Sequence, residues 1–142
     1  MSDPHGLARF VSAQNQADTF DTAVAELRAG AKRSHWMWFV FPQIAGLGQS
    51  PISRRYAIAS LEEAQAYLAH PVLGTRLIEC ARILCELDGR TANDVFGGID
   101  AIKLRSSMTL FARADPDNPV FGQVLDAYFA GVPDSATERL LA

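Results

Sequence analysis

SLEEAQAYLAHPVLGTRLIECARILCELDG, residues 60–89, decides the fold. Ser60 followed three positions later by Glu63 spells a capping box, in which each side chain accepts from the other residue's backbone N–H. Leu61, Ala64 and Leu68 then line one helical face. His70-Pro71 interrupts the pattern, and Pro71 suits the first turn of a second helix because its missing N–H is not needed there. Leu73, Leu77, Ala81 and Leu84 give that helix its own apolar stripe, and Gly89 ends it. Two adjoining helices with one-sided stripes must be covered by further helices or a sheet.

Further out, the helical spacing continues in both directions. Leu7–Gln14 predicts a short helix with Phe10 and Val11 inward, behind a flexible tail over residues 1–6. Phe20, Ala23, Val24 and Leu27 recur at i, i+3, i+4, i+7, a helix that begins near Asp18 or Thr19 and stops at Gly30. Thr91–Asp94 starts a short helix that Gly97-Gly98 breaks, and Ile99–Arg113 forms the next long one, stopped by Asp115-Pro116. Asn118-Pro119 opens a helix carrying Phe121, Val124, Leu125 and Tyr128 up to Gly131. Ser135 with Glu138 spells a second capping box. Ile44–Ser53 reads as an irregular loop, and Tyr56–Ile58 as extended but too short to found a sheet. The expected fold is all-α, one compact domain over 1–142 of about seven or eight helices, resembling an orthogonal bundle, with little or no sheet.

Composition narrows the function. At 142 residues with 49% hydrophobic content, the chain has material for a sizeable core. A net charge of −3, with basic pairs only at Lys32-Arg33 and Arg54-Arg55, argues against a nucleic-acid or anionic-membrane partner. No apolar run approaches the roughly 18 residues of a membrane helix. Met1–His5 lacks a signal-peptide pattern. The expectation is a soluble cytoplasmic protein. Cys80 and Cys85 lie about 500° apart around one helix, so a disulfide is implausible and both read as core residues. No metal-ligand spacing is present, and neither a metal nor a cofactor is expected.

One stretch asks for more than a core. Lys32-Arg33-Ser34-His35-Trp36-Met37-Trp38-Phe39-Val40-Phe41-Pro42-Gln43 holds both tryptophans and one of the three histidines. Ser34 is a candidate helix cap, and Pro42 ends the segment. His35, packed among aromatic rings, would be kept neutral by desolvation and suit a general base; the plainer reading is a core histidine. Trp36 and Trp38 point about 200° apart on a helix, so one can be core while the other walls a pocket; Trp36 is taken as the pocket ring and Trp38 as core. Lys32 and Arg33 either complement a helix C-terminus or recognise an anion. Gln43 precedes Gly46-Leu47-Gly48, which lacks the context of a dinucleotide fingerprint but can turn backbone N–H groups toward a ligand. A tight loop is the simpler reading.

A second polar set lies on the helix from Ile99. Asp100, Lys103 and Ser107 share a face, with Ser106 beside Lys103, all embedded among apolar residues. Buried polar groups must be paired, either with one another or with a ligand. In the ligand reading Asp100 is a carboxylate base and Lys103 an anion anchor.

These segments also resemble the bacterial domain-of-unknown-function 1810 family. The resemblance rests on Ala25–Gly30, Lys32–Phe39, Phe41-Pro42-Gln43, Gly46-Leu47-Gly48, His70-Pro71, and Asp100 with Lys103 and Ser106–Phe111. It implies a mainly α-helical single domain and no established activity. Some members carry the label calpastatin, but no residue here points to protease inhibition.

Two functions follow as expectations. The first is a pocket that binds or hydrolyses a small anionic metabolite, nucleotide-like or ADP-ribose-like. His35 and Asp100 would be catalytic, and Lys32, Arg33, Trp36, Gln43, Lys103, Ser106 and Ser107 would hold the ligand. The second is a non-enzymatic structural or protein-interaction module whose aromatic motif is only core.

Overall fold

The computed structural model describes residues 3–142. Its helices are α1 (Ala8–Asn15), α2 (Thr19–Ala29), α3 (Met37–Val40), α4 (Pro51–Arg55), α5 (Leu61–Ala69), α6 (Leu73–Glu86), α7 (Ala92–Ala114), α8 (Val120–Phe129) and α9 (Ser135–Leu141). A 3-10 turn at Gln16–Asp18 joins α1 to α2. Among the described residues there is no strand. A single parallel bridge pairs Ile44 with Ile58, so the short extended reading around Ile58 comes to one rung. The fold is all-α, as expected.

The long helices form the frame. α7 packs on α5, α8 and α9, while α6 packs on α2, α5 and α8. A relay of rings runs through the interior, from Phe10 to Tyr67 (5.2 Å between centroids), Phe111 (5.4 Å) and Phe121 (5.8 Å). It links α1, α5, α7 and α8. Burying rings of this size is the largest apolar contribution available to a chain of this length. The α5–α6 contact is close at Gly74, where an added Cβ would lie 2.0 Å from the Leu68 carbonyl oxygen.

Several local readings need correction. Ser60 does accept from the Glu63 N–H at 3.1 Å, but Glu63 does not reciprocate: its buried carboxylate pairs with Arg9 at 3.0 Å. Tertiary pairing has taken over half of that box. At the C-terminus the cap is Asp134, whose carboxylate accepts from the N–H and hydroxyl of Thr137; Ser135 is already helical. The complete capping box is Thr91 with Asp94. At α6 it is the His70 ring that accepts from the Val72 and Leu73 N–H groups, and Pro71 lies before the helix. Part of the expected loop at 44–53 is helical: Ser50 caps α4 and Pro51 occupies its first position. Of the expected tail, Asp3–Gly6 is bound to α1, Asp3 accepting from the Leu7 and Ala8 N–H groups; residues 1–2 lie outside the described residues. Gly97 kinks α7 with φ 77°, so the expected break is a bend within one element.

Candidate functional site

The aromatic stretch is positioned from α2. Glu26 projects from the last turns of α2 and gathers four donors. Its Oε1 accepts from the Arg33 N–H (2.8 Å), the Ser34 N–H (2.9 Å) and the Trp36 indole (2.9 Å), and its Oε2 accepts from the Ser34 hydroxyl (2.6 Å). Partial burial opposes the charge, yet the donors prevail and hold this carboxyl down at about 2. Ser34 therefore serves Glu26 and does not cap α3. The Lys32 N–H donates to the Val95 carbonyl at 2.7 Å, which fastens the stretch to the start of α7.

This clamp settles the two tryptophans in the order opposite to that expected. Trp36 is fully buried, against Phe41 and Phe96. In the single turn of α3, Met37 and Val40 face the core. Trp38 points the other way and is half-buried at the edge of a cleft. The correction has a physical cause: a buried indole N–H needs an acceptor, and Glu26 offers it to Trp36.

The cleft has a volume of about 420 Å³. One side is α7, through Ile99, Ile102, Lys103 and Ser106. Opposite lie Trp38, Gln43, Ile44 and the Ala45–Gly48 turn. Ser53, Arg54, Tyr56 and Ala57 from α4 and its exit, with Asp134 and Ala136 at the start of α9, complete the wall. Gly46, with φ 105°, lets the turn pass against Leu140.

Electrostatics at the cleft centre on Asp100. Its Oδ2 lies 2.9 Å from Lys32 Nζ and its Oδ1 3.4 Å from Lys103 Nζ. Each ammonium also covers an indole: Lys32 lies 5.1 Å from the Trp36 ring centre and Lys103 4.4 Å from that of Trp38. Lys32 further donates to the Ser34 carbonyl at 2.6 Å. The aromatic stretch and α7 are thus joined by one carboxylate shared between two cations.

Gln43, Lys103 and Ser106 share the cleft; Asp100 does not line it and is tied to it through Lys103 at 3.4 Å. Lys32 is 7% exposed at its side chain and reaches Asp100 without lining the cleft. Trp36 is core. Arg33 is exposed over a separate shallow surface with Arg90. Ser107 is sealed inside the protein, its hydroxyl without a partner. His35 is exposed and lies in a small hollow with Ala17, Thr22 and Ser34. The burial that argued for a neutral base is absent, and His35 does not meet Asp100 and Lys103 in one pocket. Tyr56, Arg54 and the isoleucines of α7 were missed. Ser50-Pro51 was a legible helix start that would have placed Ser53 and Arg54; nothing local marks Ile99 and Ile102 as exposed.

The cleft offers cationic and hydrogen-bonding side chains over mostly apolar walls. Its candidate bases are committed. Asp100 holds two ammoniums and Asp134 caps α9. The Ser106 hydroxyl donates to the Ile102 carbonyl at 3.1 Å. No group of three metal-ligating side chains occurs among the described residues, and no helix there is long and apolar enough to cross a membrane. Cys80 is buried, which pushes its thiol up to about 12.

Comparison with curated proteins finds no match. Among solved structures, the chain is similar to the conserved hypothetical protein Rv1873 from Mycobacterium tuberculosis. The two are 54% identical, the alignment covers 98% of each chain, and the TM-score is 0.95. Residues 4–141 match the family described as Protein of unknown function (DUF1810), and the chain belongs to that family.

Proposed function

We propose that the protein binds a small anionic metabolite with a flat, nucleotide-like body in the cleft between α7 and the aromatic stretch. The observation that carries this reading is the placement of Lys103. Its ammonium lies over the Trp38 ring and 3.4 Å from the Asp100 carboxylate, and Lys103 and Trp38 both line the cleft. A cation fixed at the edge of a largely apolar cleft is suited to an anion that brings an apolar body with it. The volume falls within the roughly 300–1,000 Å³ of small-molecule sites. Binding is favoured over hydrolysis because Asp100, Asp134 and Ser106 are engaged in internal contacts and His35 lies elsewhere. The half-exposed Trp38 speaks against the view that the aromatic stretch is only core.

A thermal-shift screen over nucleotides, ADP-ribose and sugar phosphates tests this directly, because a ligand of the native state raises its apparent stability. At least one anion should raise the melting temperature of the parent protein, and Lys103→Met should abolish that shift. An unchanged melting temperature across the panel at millimolar concentration would reject the reading.

A further inference from the structure

We infer that Lys32, a residue outside the cleft, sets the anion affinity of the cleft by neutralising Asp100 and so leaving the charge of Lys103 free for a ligand. This rests on the reading of the cleft as an anion site and names a residue that governs it without touching its occupant.

Lys32 is placed to act only through Asp100. Its ammonium lies 2.9 Å from Asp100 Oδ2, donates to the Ser34 carbonyl at 2.6 Å and stands 5.1 Å from the Trp36 ring centre. Its backbone N–H donates to the Val95 carbonyl at 2.7 Å, so the residue is fixed at both ends. Its side chain is 7% exposed and forms no part of the cleft wall.

Asp100 links this enclosed cation to the one that lines the cleft. Two ammoniums compete for its single carboxylate. Lys32 is the nearer, 2.9 Å against 3.4 Å for Lys103, and the more enclosed, 7% exposed against 23%, so water screens its attraction less. The carboxylate is therefore spent chiefly on Lys32, and Lys103 keeps most of its charge. Without Lys32, Asp100 has only Lys103 to pair with, and an anion entering the cleft meets an ion pair that is neutral overall. Asp100 is not needed to hold Lys103 in place, because the Trp38 ring already stands 4.4 Å from that ammonium. The consequence is one that a packing role would not share. Removing the charge of Lys32 should weaken anion binding, and removing that of Asp100 as well should restore it.

Calorimetric titration of the full chain with adenosine monophosphate, ADP-ribose and inorganic phosphate at low salt tests this. Lys32→Met should keep a melting temperature near the parent's and bind the tightest of these anions about fivefold or more weakly, as expected for one unit charge lost near the anion at the intermediate dielectric of a protein surface. Lys32→Gln, which keeps a donor for the Ser34 carbonyl, should show the same loss, so charge is separated from folding. The double variant Lys32→Met/Asp100→Asn leaves no ammonium stranded and leaves Lys103 without a carboxylate, so its affinity should return to the parent's or exceed it. Parent-like affinity in both Lys32 variants, or a loss that the double variant does not recover, would overturn this inference and leave the anion site standing. Binding of none of the three anions by the parent protein would reject both.

Discussion

Glu26 fixes the environment of Trp36. Four hydrogen bonds converge on its carboxylate and one comes from the Trp36 indole, so the ring is held both by packing and by a charge-assisted bond. Trp36→Ala should therefore cost about 3–5 kcal/mol of stability, as for other large core truncations. Trp38→Ala removes a half-buried ring and should cost distinctly less. Urea melts of the two variants give the order, and equal losses would contradict the assignment. Glu26 also makes stability depend on pH. Its folded value of about 2 lies below its ordinary 4.5, so its contribution is fully present above about pH 4.5 and is lost as pH falls through about 2. Glu26→Gln should flatten the acid limb of the stability curve in that window, and an unchanged limb would show that the clamp contributes little. The choice between the two tryptophans could not be read from the sequence. Their opposite directions follow from helical geometry, but which one points inward depends on an acceptor ten positions upstream in another helix.

Elements were more legible than residues wherever a stripe and its stop signals agreed. Helix α6 has its stripe at Leu73, Leu77, Ala81 and Leu84, all buried, and α2 ends at Gly30 with φ 73°. The misreadings fall at helix starts, where several side chains compete for the same free N–H groups. Glu63 left its box for Arg9, Asp134 displaced Ser135, and the His70 ring capped α6. Close approach between helices was likewise invisible. Gly74 sits where α6 begins against the end of α5, and its φ is ordinary, so nothing but contact demands glycine there. An alanine Cβ would meet backbone, which cannot swing aside as a side chain can. Gly74→Ala should thus destabilise by about 1–3 kcal/mol or more, like other overpacked sites, despite the higher helix propensity of alanine. A melting temperature at or above the parent's would show that α5 and α6 separate easily.

At the scale of the molecule, Asp100 is where the aromatic stretch and α7 are joined, and candidate site and scaffold overlap there. The sequence placed Asp100 and Lys103 on one face correctly. It could not show that Lys32 returns to the same carboxylate, since that depends on the path of the chain from α2 to α7. The three charges are unequal in consequence. Lys103→Met leaves Asp100 paired with Lys32, and its side chain is 23% exposed, so the fold should lose little. Lys32→Met leaves Asp100 paired with Lys103 and puts an apolar side chain into an already enclosed position. Asp100→Asn is different: it strands the nearly buried ammonium of Lys32 without a counter-charge, a change that typically costs about 3–5 kcal/mol. Chemical denaturation should accordingly rank Asp100→Asn well below both lysine variants. If Lys103→Met proves as damaging as Asp100→Asn, the trio is a structural network as a whole, and the cation at the cleft is there to hold α7 and not to meet a ligand.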